Sequence, residues 1–147
     1  MYLYLHSSNY FFTPPLFFYL TNKKFNLKLA QNNLLIVEDN PIIRKKIYTK
    51  ANELGSLINI QLTESLQEAI SFLNETNFKI ITLDLRLPDG NGLELLKWLK
   101  ENPADTKVFV FSMSTELKQI CLKYGAFDFF DKAKDFDKLI EAIKTNS

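Results

Sequence analysis

Four short apolar runs, spaced by helix-like segments, limit what this chain can fold into more than any other feature. Leu34–Val37 ends in Glu38 and Asp39, Ile80–Leu83 in Asp84, Val108–Phe111 in Ser112, and Phe127–Phe130 leads to Lys132. Each run has the length and the β-branched or aromatic content of a buried strand, which predicts a parallel sheet with crossover helices. In such sheets ligands bind beyond the carboxyl ends of the strands. Chain order alone therefore places three carboxylates, a hydroxyl and an ammonium along one edge.

The intervening segments carry helix signals. Asn40 and Pro41 offer an N-cap and a first-turn proline ahead of Ile43, Ile47, Ala51 and Leu54, an apolar face closed by Gly55. Leu57–Leu62 alternates as a strand, and Ser65 with Glu68 predicts a capping box before Leu66, Ala69, Ile70 and Leu73. Gly92 precedes a third helix with Leu93, Leu96 and Leu99, stopped by Asn102-Pro103; a fourth runs from Thr115 to Tyr124 and ends at Gly125. Asp135 is the expected cap of a fifth, with Phe136, Leu139, Ile140 and Ile143 inward. The fold class is thus α/β, a (βα)5 doubly wound parallel sheet of five strands over residues 33–145, with right-handed crossovers.

In a flavodoxin-like strand order of 2-1-3-4-5 the first and third strands are neighbours, about 4.8 Å apart. Glu38, Asp39 and Asp84 then converge. Carboxylates that close raise one another's pKa values and call for a cation. An oxygen-only donor set selects a hard divalent ion, with Mg²⁺ the best match. Such an ion also lets a carboxylate accept a phosphoryl group by neutralising charge on the transferring oxygens. Asp84 stands alone at its strand end and is the candidate nucleophile, while Ser112 and Lys132 can bind phosphoryl oxygens. Taken singly, each has a plainer role: Asp84 or Ser112 as a helix cap, Lys132 as a solvated side chain.

Composition narrows the alternatives. A chain of 147 residues has room for one domain and one core. Residues 1–33 hold Lys23, Lys24 and Lys28 and no acid, so the remainder carries 15 basic against 17 acidic residues. No basic stripe for nucleic acid is present there, and Arg44-Lys45-Lys46 reads as a solvated helix face. Cys121 is single, which excludes a disulfide framework, and its spacing suits a core thiol. Residues 1–31 contain nine of the twenty aromatic residues, the single His6, and Thr13-Pro14-Pro15 dividing the apolar part. Neither a signal peptide nor a transmembrane segment fits that pattern. It reads as an aromatic extension, either loose or a docking arm.

The residues resemble the receiver (CheY-like) domains of two-component response regulators, through Leu34-Leu35-Ile36-Val37-Glu38-Asp39, Leu83–Gly92, Phe111-Ser112 and Gly125–Lys132. The resemblance spans about Asn33–Ile143. It implies that Asp84 accepts a phosphoryl group from a histidine kinase or phosphotransfer protein, and that Glu38, Asp39, Asp84 and the backbone carbonyl of Arg86 hold Mg²⁺. It further implies that Ser112 and Lys132 contact the phosphoryl, that Phe129 is the switch aromatic, and that Arg86 and Ser114 tune the lifetime of the phosphorylated state. Two positions depart from the family. Ala133 replaces the usual proline after the lysine, which argues against a cis bond there, and Met113 replaces a small residue, which is expected to narrow access to Asp84.

The expectation is a stand-alone cytoplasmic receiver without an output domain, signalling through a partner that reads the fourth helix, fifth strand and fifth helix. A homodimer is compatible with it. The rival is a pseudo-receiver that works only as an interaction module. An aspartyl-phosphate phosphatase is a third candidate, but such enzymes generally carry a second aspartate where Arg86 stands.

Overall fold

The computed structural model describes residues 32–147, so the aromatic extension and His6 lie outside the described residues. Strands β1 (Asn33–Val37), β2 (Asn59–Thr63), β3 (Ile80–Leu83), β4 (Lys107–Ser112) and β5 (Asp128–Asp131) form one sheet in the order 2-1-3-4-5, every pair parallel. Helices α1 (Pro41–Glu53), α2 (Leu66–Glu75), α3 (Leu93–Glu101), α4 (Lys118–Lys123) and α5 (Phe136–Asn146) supply the crossovers. The expected doubly wound architecture is the one found.

The central strands are buried along almost their whole length because both faces are covered, which is why they read as predominantly apolar runs. Successive side chains point to opposite faces. Leu35, Val37, Ile81, Leu83, Val108, Val110 and Phe129 join one core cluster with Leu66, Leu95, Leu96 and Cys121, while Leu34, Ile36, Ile80, Phe109, Phe111 and Phe130 join the other with Ile47, Ala51, Leu139 and Ile143. α2, α3 and α4 thus cover one face, and α1 and α5 the other.

Several local expectations need correction. Strand β2 starts at Asn59 rather than Leu57, because Asn32 turns the chain at φ 71° and its carbonyl takes the Ile58 N–H outside the ladder. The capping box is half formed: Ser65 Oγ accepts the Glu68 N–H at 3.2 Å, but the Glu68 carboxylate accepts from Thr63 Oγ1 and the Glu64 N–H instead of closing on Ser65. The segment Thr115–Leu117 is 3₁₀, since Ser114 makes no side-chain cap and the first turn tightens onto its carbonyl. Asp135 precedes α5 without a side-chain cap bond, its backbone lying outside the extended region that capping requires. Gly125, at φ 96°, does terminate α4: its N–H bonds Leu122 O and the Ala126 N–H bonds Cys121 O, the paired closure of a Schellman motif. A two-residue-a-side hairpin, Arg86–Leu87 with Gly90–Asn91, follows β3 and is absent from the sequence-based expectation.

Candidate phosphoacceptor and cation site

The backbone that carries the site is a continuation of the sheet. The Glu38 N–H bonds Thr63 O at 3.0 Å, the Asp84 N–H bonds Val37 O at 2.9 Å, and the Lys132 N–H bonds Ser112 O at 3.0 Å. Residues from β1, β3 and β5 are thereby held by rungs just past the strand ends. Glu38 and Asp84 are buried and Asp39 is exposed; ligand oxygens of all three lie within 4.8 Å of one another.

Lys132 Nζ bridges the two buried carboxylates, 2.8 Å from Glu38 Oε2 and 3.0 Å from Asp84 Oδ2, with its own side chain 10% exposed. The other Glu38 oxygen accepts the Asn40 N–H at 3.0 Å. Burial nevertheless pushes the Glu38 carboxyl above its ordinary value; Lys132 opposes the rise and the Asp84 charge adds to it. One ammonium among three carboxylates leaves excess negative charge. With three oxygen donors and no thiol or imidazole, this set fits Mg²⁺.

Ser112 is buried at the end of β4, and its Oγ accepts the Ser114 N–H at 3.1 Å, which leaves the hydroxyl proton to donate. Phe129 is buried in the cluster that includes Val110 and Cys121. Arg86 lies in the hairpin after Asp84, paired with Asn91. Met113 is 58% exposed and belongs to neither core cluster. Among the described residues no peptide bond is cis, so the bond before Ala133 is trans, in keeping with the loss of proline there.

Two residues that frame the site escape sequence reasoning. Arg44 is no solvated cation: its side chain is 20% exposed, and Nη1 donates to Glu38 O at 2.9 Å and to Asp39 O at 3.4 Å while pairing with Glu64 at 3.2 Å. Asp89 reaches across to the start of α2, accepting from the Leu66 and Gln67 N–H groups. Each bonds backbone of another element, which spacing along the chain does not report; the only local signal for Asp89 is its place in Pro88-Asp89-Gly90.

An acidic pocket with a bridging lysine at the carboxyl edge of a 2-1-3-4-5 sheet defines a class, and comparison with known proteins agrees. The family model described as "Response regulator receiver domain" matches residues 34–144. This chain belongs to that family, the receiver domains of two-component signalling. It is 33% identical over 113 residues to the transcriptional regulatory protein MalR of Bacillus subtilis, covering 76% of this chain and 48% of MalR. It is 30% identical over 121 residues to the response regulator protein PilR of Pseudomonas aeruginosa, covering 80% of this chain and 26% of PilR. The chain thus spans about half or less of these relatives. Among solved structures, the receiver domain of the Francisella response regulator 1452 superposes with a TM-score of 0.70 at 31% identity, covering 78% of this chain and 95% of that one. TrrA of Thermotoga maritima, solved in complex with Mg²⁺ and BeF, shares the fold with a TM-score of 0.70 at 24% identity, covering 80% of this chain and all of that one. Among the described residues no helix is long and apolar enough to cross a membrane.

Proposed function

We propose that this domain is a cytoplasmic phosphoacceptor in which Asp84 takes a phosphoryl group from the phosphohistidine of a sensor kinase or phosphotransfer protein. The observation that carries this reading is the meeting of Glu38, Asp39 and Asp84 oxygens within 4.8 Å beside the Lys132 ammonium. An Asp84 carboxylate oxygen attacks phosphorus, the phosphorus–nitrogen bond breaks, and the imidazole leaves with a proton. Glu38, Asp39, Asp84 and the Arg86 carbonyl would hold Mg²⁺, which when bound shields the negative charge between nucleophile and phosphoryl oxygens. Lys132 turns from its carboxylate partners toward the new phosphoryl, and the Ser112 hydroxyl donates to it. Hydrolysis of the acyl phosphate resets the domain, so its chemistry is limited to its own phosphorylation and dephosphorylation.

Movement of Ser112 toward the phosphoryl opens room beside Phe129, which biases a two-state equilibrium on the α4–β5–α5 face. Ile120 and Leu122 on α4 and Phe127 just before β5 are exposed and offer apolar surface to a downstream protein or to a second copy of the chain.

Intact-mass analysis after incubation with Mg²⁺ and a small phosphodonor tests the reading. One added phosphoryl is expected, lost without Mg²⁺ and lost in Asp84→Asn. An unmodified chain under the same conditions would leave the pseudo-receiver, an interaction module without phosphate, as the better account.

A further inference from the structure

Asp89 ties the loop after the candidate nucleophile to a helix more than twenty residues away. The Leu66 N–H donates to Oδ1 at 2.9 Å and the Gln67 N–H to Oδ2 at 3.0 Å. The first N–H groups of a helix lack intrahelical partners, and an anion there is favoured by the helix dipole. These two bonds hold the Asp89 carboxyl below the usual carboxylate range. Asp89 is not among the three acids whose oxygens meet within 4.8 Å, and both of its oxygens are turned to α2.

The loop is fixed at its other end as well. A Cβ added to Gly92 would lie 2.5 Å from the Asp84 carbonyl oxygen, and the Gly92 N–H bonds Leu85 O at 2.9 Å. Near its middle, a Cβ on Gly90 would come within 2.9 Å of Leu66 Cδ1. The start of α2 is in turn joined to the β1 end of the pocket, through Glu64, Arg44 and the carbonyls of Glu38 and Asp39. Three loops, from β1, β2 and β3, therefore form one hydrogen-bonded frame, and Asp89 supplies the link between the second and the third.

We infer that Asp89 is a positioning residue for the cation pocket: by clamping the Leu85–Gly92 loop to α2, it sets where Asp84 and the Arg86 carbonyl stand relative to Glu38 and Asp39. This rests on the Mg²⁺ pocket proposed above.

Calorimetric titration of Mg²⁺ into the full chain, Asp89→Ala and Asp89→Asn tests it, at about 0.5 M KCl so that the through-space effect of one lost charge is screened. Asp89→Ala is expected to bind Mg²⁺ about tenfold more weakly, the low end of what loss of a ligand's supporting group costs. Asp89→Asn keeps one acceptor oxygen and falls between the two. In metal-free protein, the Leu66 and Gln67 amides should lose exchange protection in Asp89→Ala while Ile36 and Ile81 keep theirs. If Asp89→Ala loses protection throughout, Asp89→Asn carries the comparison. Equal Mg²⁺ affinity, or unchanged protection at Leu66 and Gln67, overturns the inference and leaves the phosphoacceptor reading standing. A native chain that binds no Mg²⁺ overturns both.

Discussion

Lys132 and Asp84 form an ion pair of 3.0 Å between side chains that are each at least nine-tenths buried, and the same ammonium lies 2.8 Å from Glu38. This lysine is the countercharge for both buried acids. Removing one partner of a buried pair is costly because the remaining charge has no solvent to turn to, commonly about 3–5 kcal/mol. Lys132→Ala is therefore expected to lower stability by about 3 kcal/mol without divalent ions, and Mg²⁺ should restore part of it by binding only the folded chain. Urea unfolding of both proteins, with and without Mg²⁺, measures this; a deficit that Mg²⁺ leaves untouched would speak against a cation in the pocket.

Glu38 gives the domain a pH dependence of unusual sign for a carboxylate. Burial raises its folded pKa above the ordinary 4.5, so the folded chain binds this proton more tightly than the unfolded chain. The contribution of protonated Glu38 to stability is complete below about 4.5 and is lost as pH rises through the folded value. Asp89 runs the opposite way, its depressed pKa contributing stability above 3.8 that disappears on acidification. As pH rises above about 4.5, native protein without divalent ions should lose stability relative to Glu38→Gln. Unfolding titrations at stepped pH give the difference, and a flat one would mean that Lys132 has cancelled the burial effect.

Gly92 is required by space rather than by backbone conformation. Its missing Cβ leaves room for the Asp84 carbonyl and for Leu85 Cα, which a methyl group would meet at 2.5 and 3.0 Å. Both neighbours are backbone and cannot swing aside. Gly92→Ala is expected to cost about 2 kcal/mol, as overpacking typically does, and to displace Asp84. Thermal unfolding together with the phosphorylation rate checks both effects.

Cys121 projects from α4 into the core cluster, where it is fully buried, and burial pushes its thiol pKa up. The thiolate that reacts is thereby suppressed. Alkylation of native protein should proceed no faster than the opening of the core, and should accelerate to the rate of a free thiol in denaturant. Rapid labelling of the folded chain would contradict this placement.

Much of this molecule is legible in its sequence for a physical reason. A strand buried on both faces has few polar positions to spend, so Leu34–Val37, Val108–Phe111 and, with Thr82 as its one polar residue, Ile80–Leu83 stand out as apolar runs, and the first charged or hydroxyl residue after each marks the sheet edge. The converging trio follows from strand order. Arg44 and Asp89 are not legible, because their partners are carbonyls and N–H groups supplied by other elements. The behaviour of Asp135 also eludes a local rule: its carboxylate accepts from the Asp131 N–H and Lys138 Nζ, outcompeting the cap that an aspartate before a helix normally makes. Edge strand β2, exposed on one side, shows the weakest pattern and the least accurate expected start.

The connection from Asn102 to Thr106 divides the chemistry as well as the chain. Glu38, Asp39 and Asp84 all precede it, whereas Ser112 and Lys132 follow it, and the halves are stitched along the sheet by the pairing of Ile80–Leu83 with Lys107–Val110. A chain severed in this surface loop would yield one fragment with the acids and another with the hydroxyl and ammonium. Neither piece alone has a complete site. Acceptance of phosphate by the mixture would then report that the two fragments had found each other, making the domain a split sensor of its own reassembly.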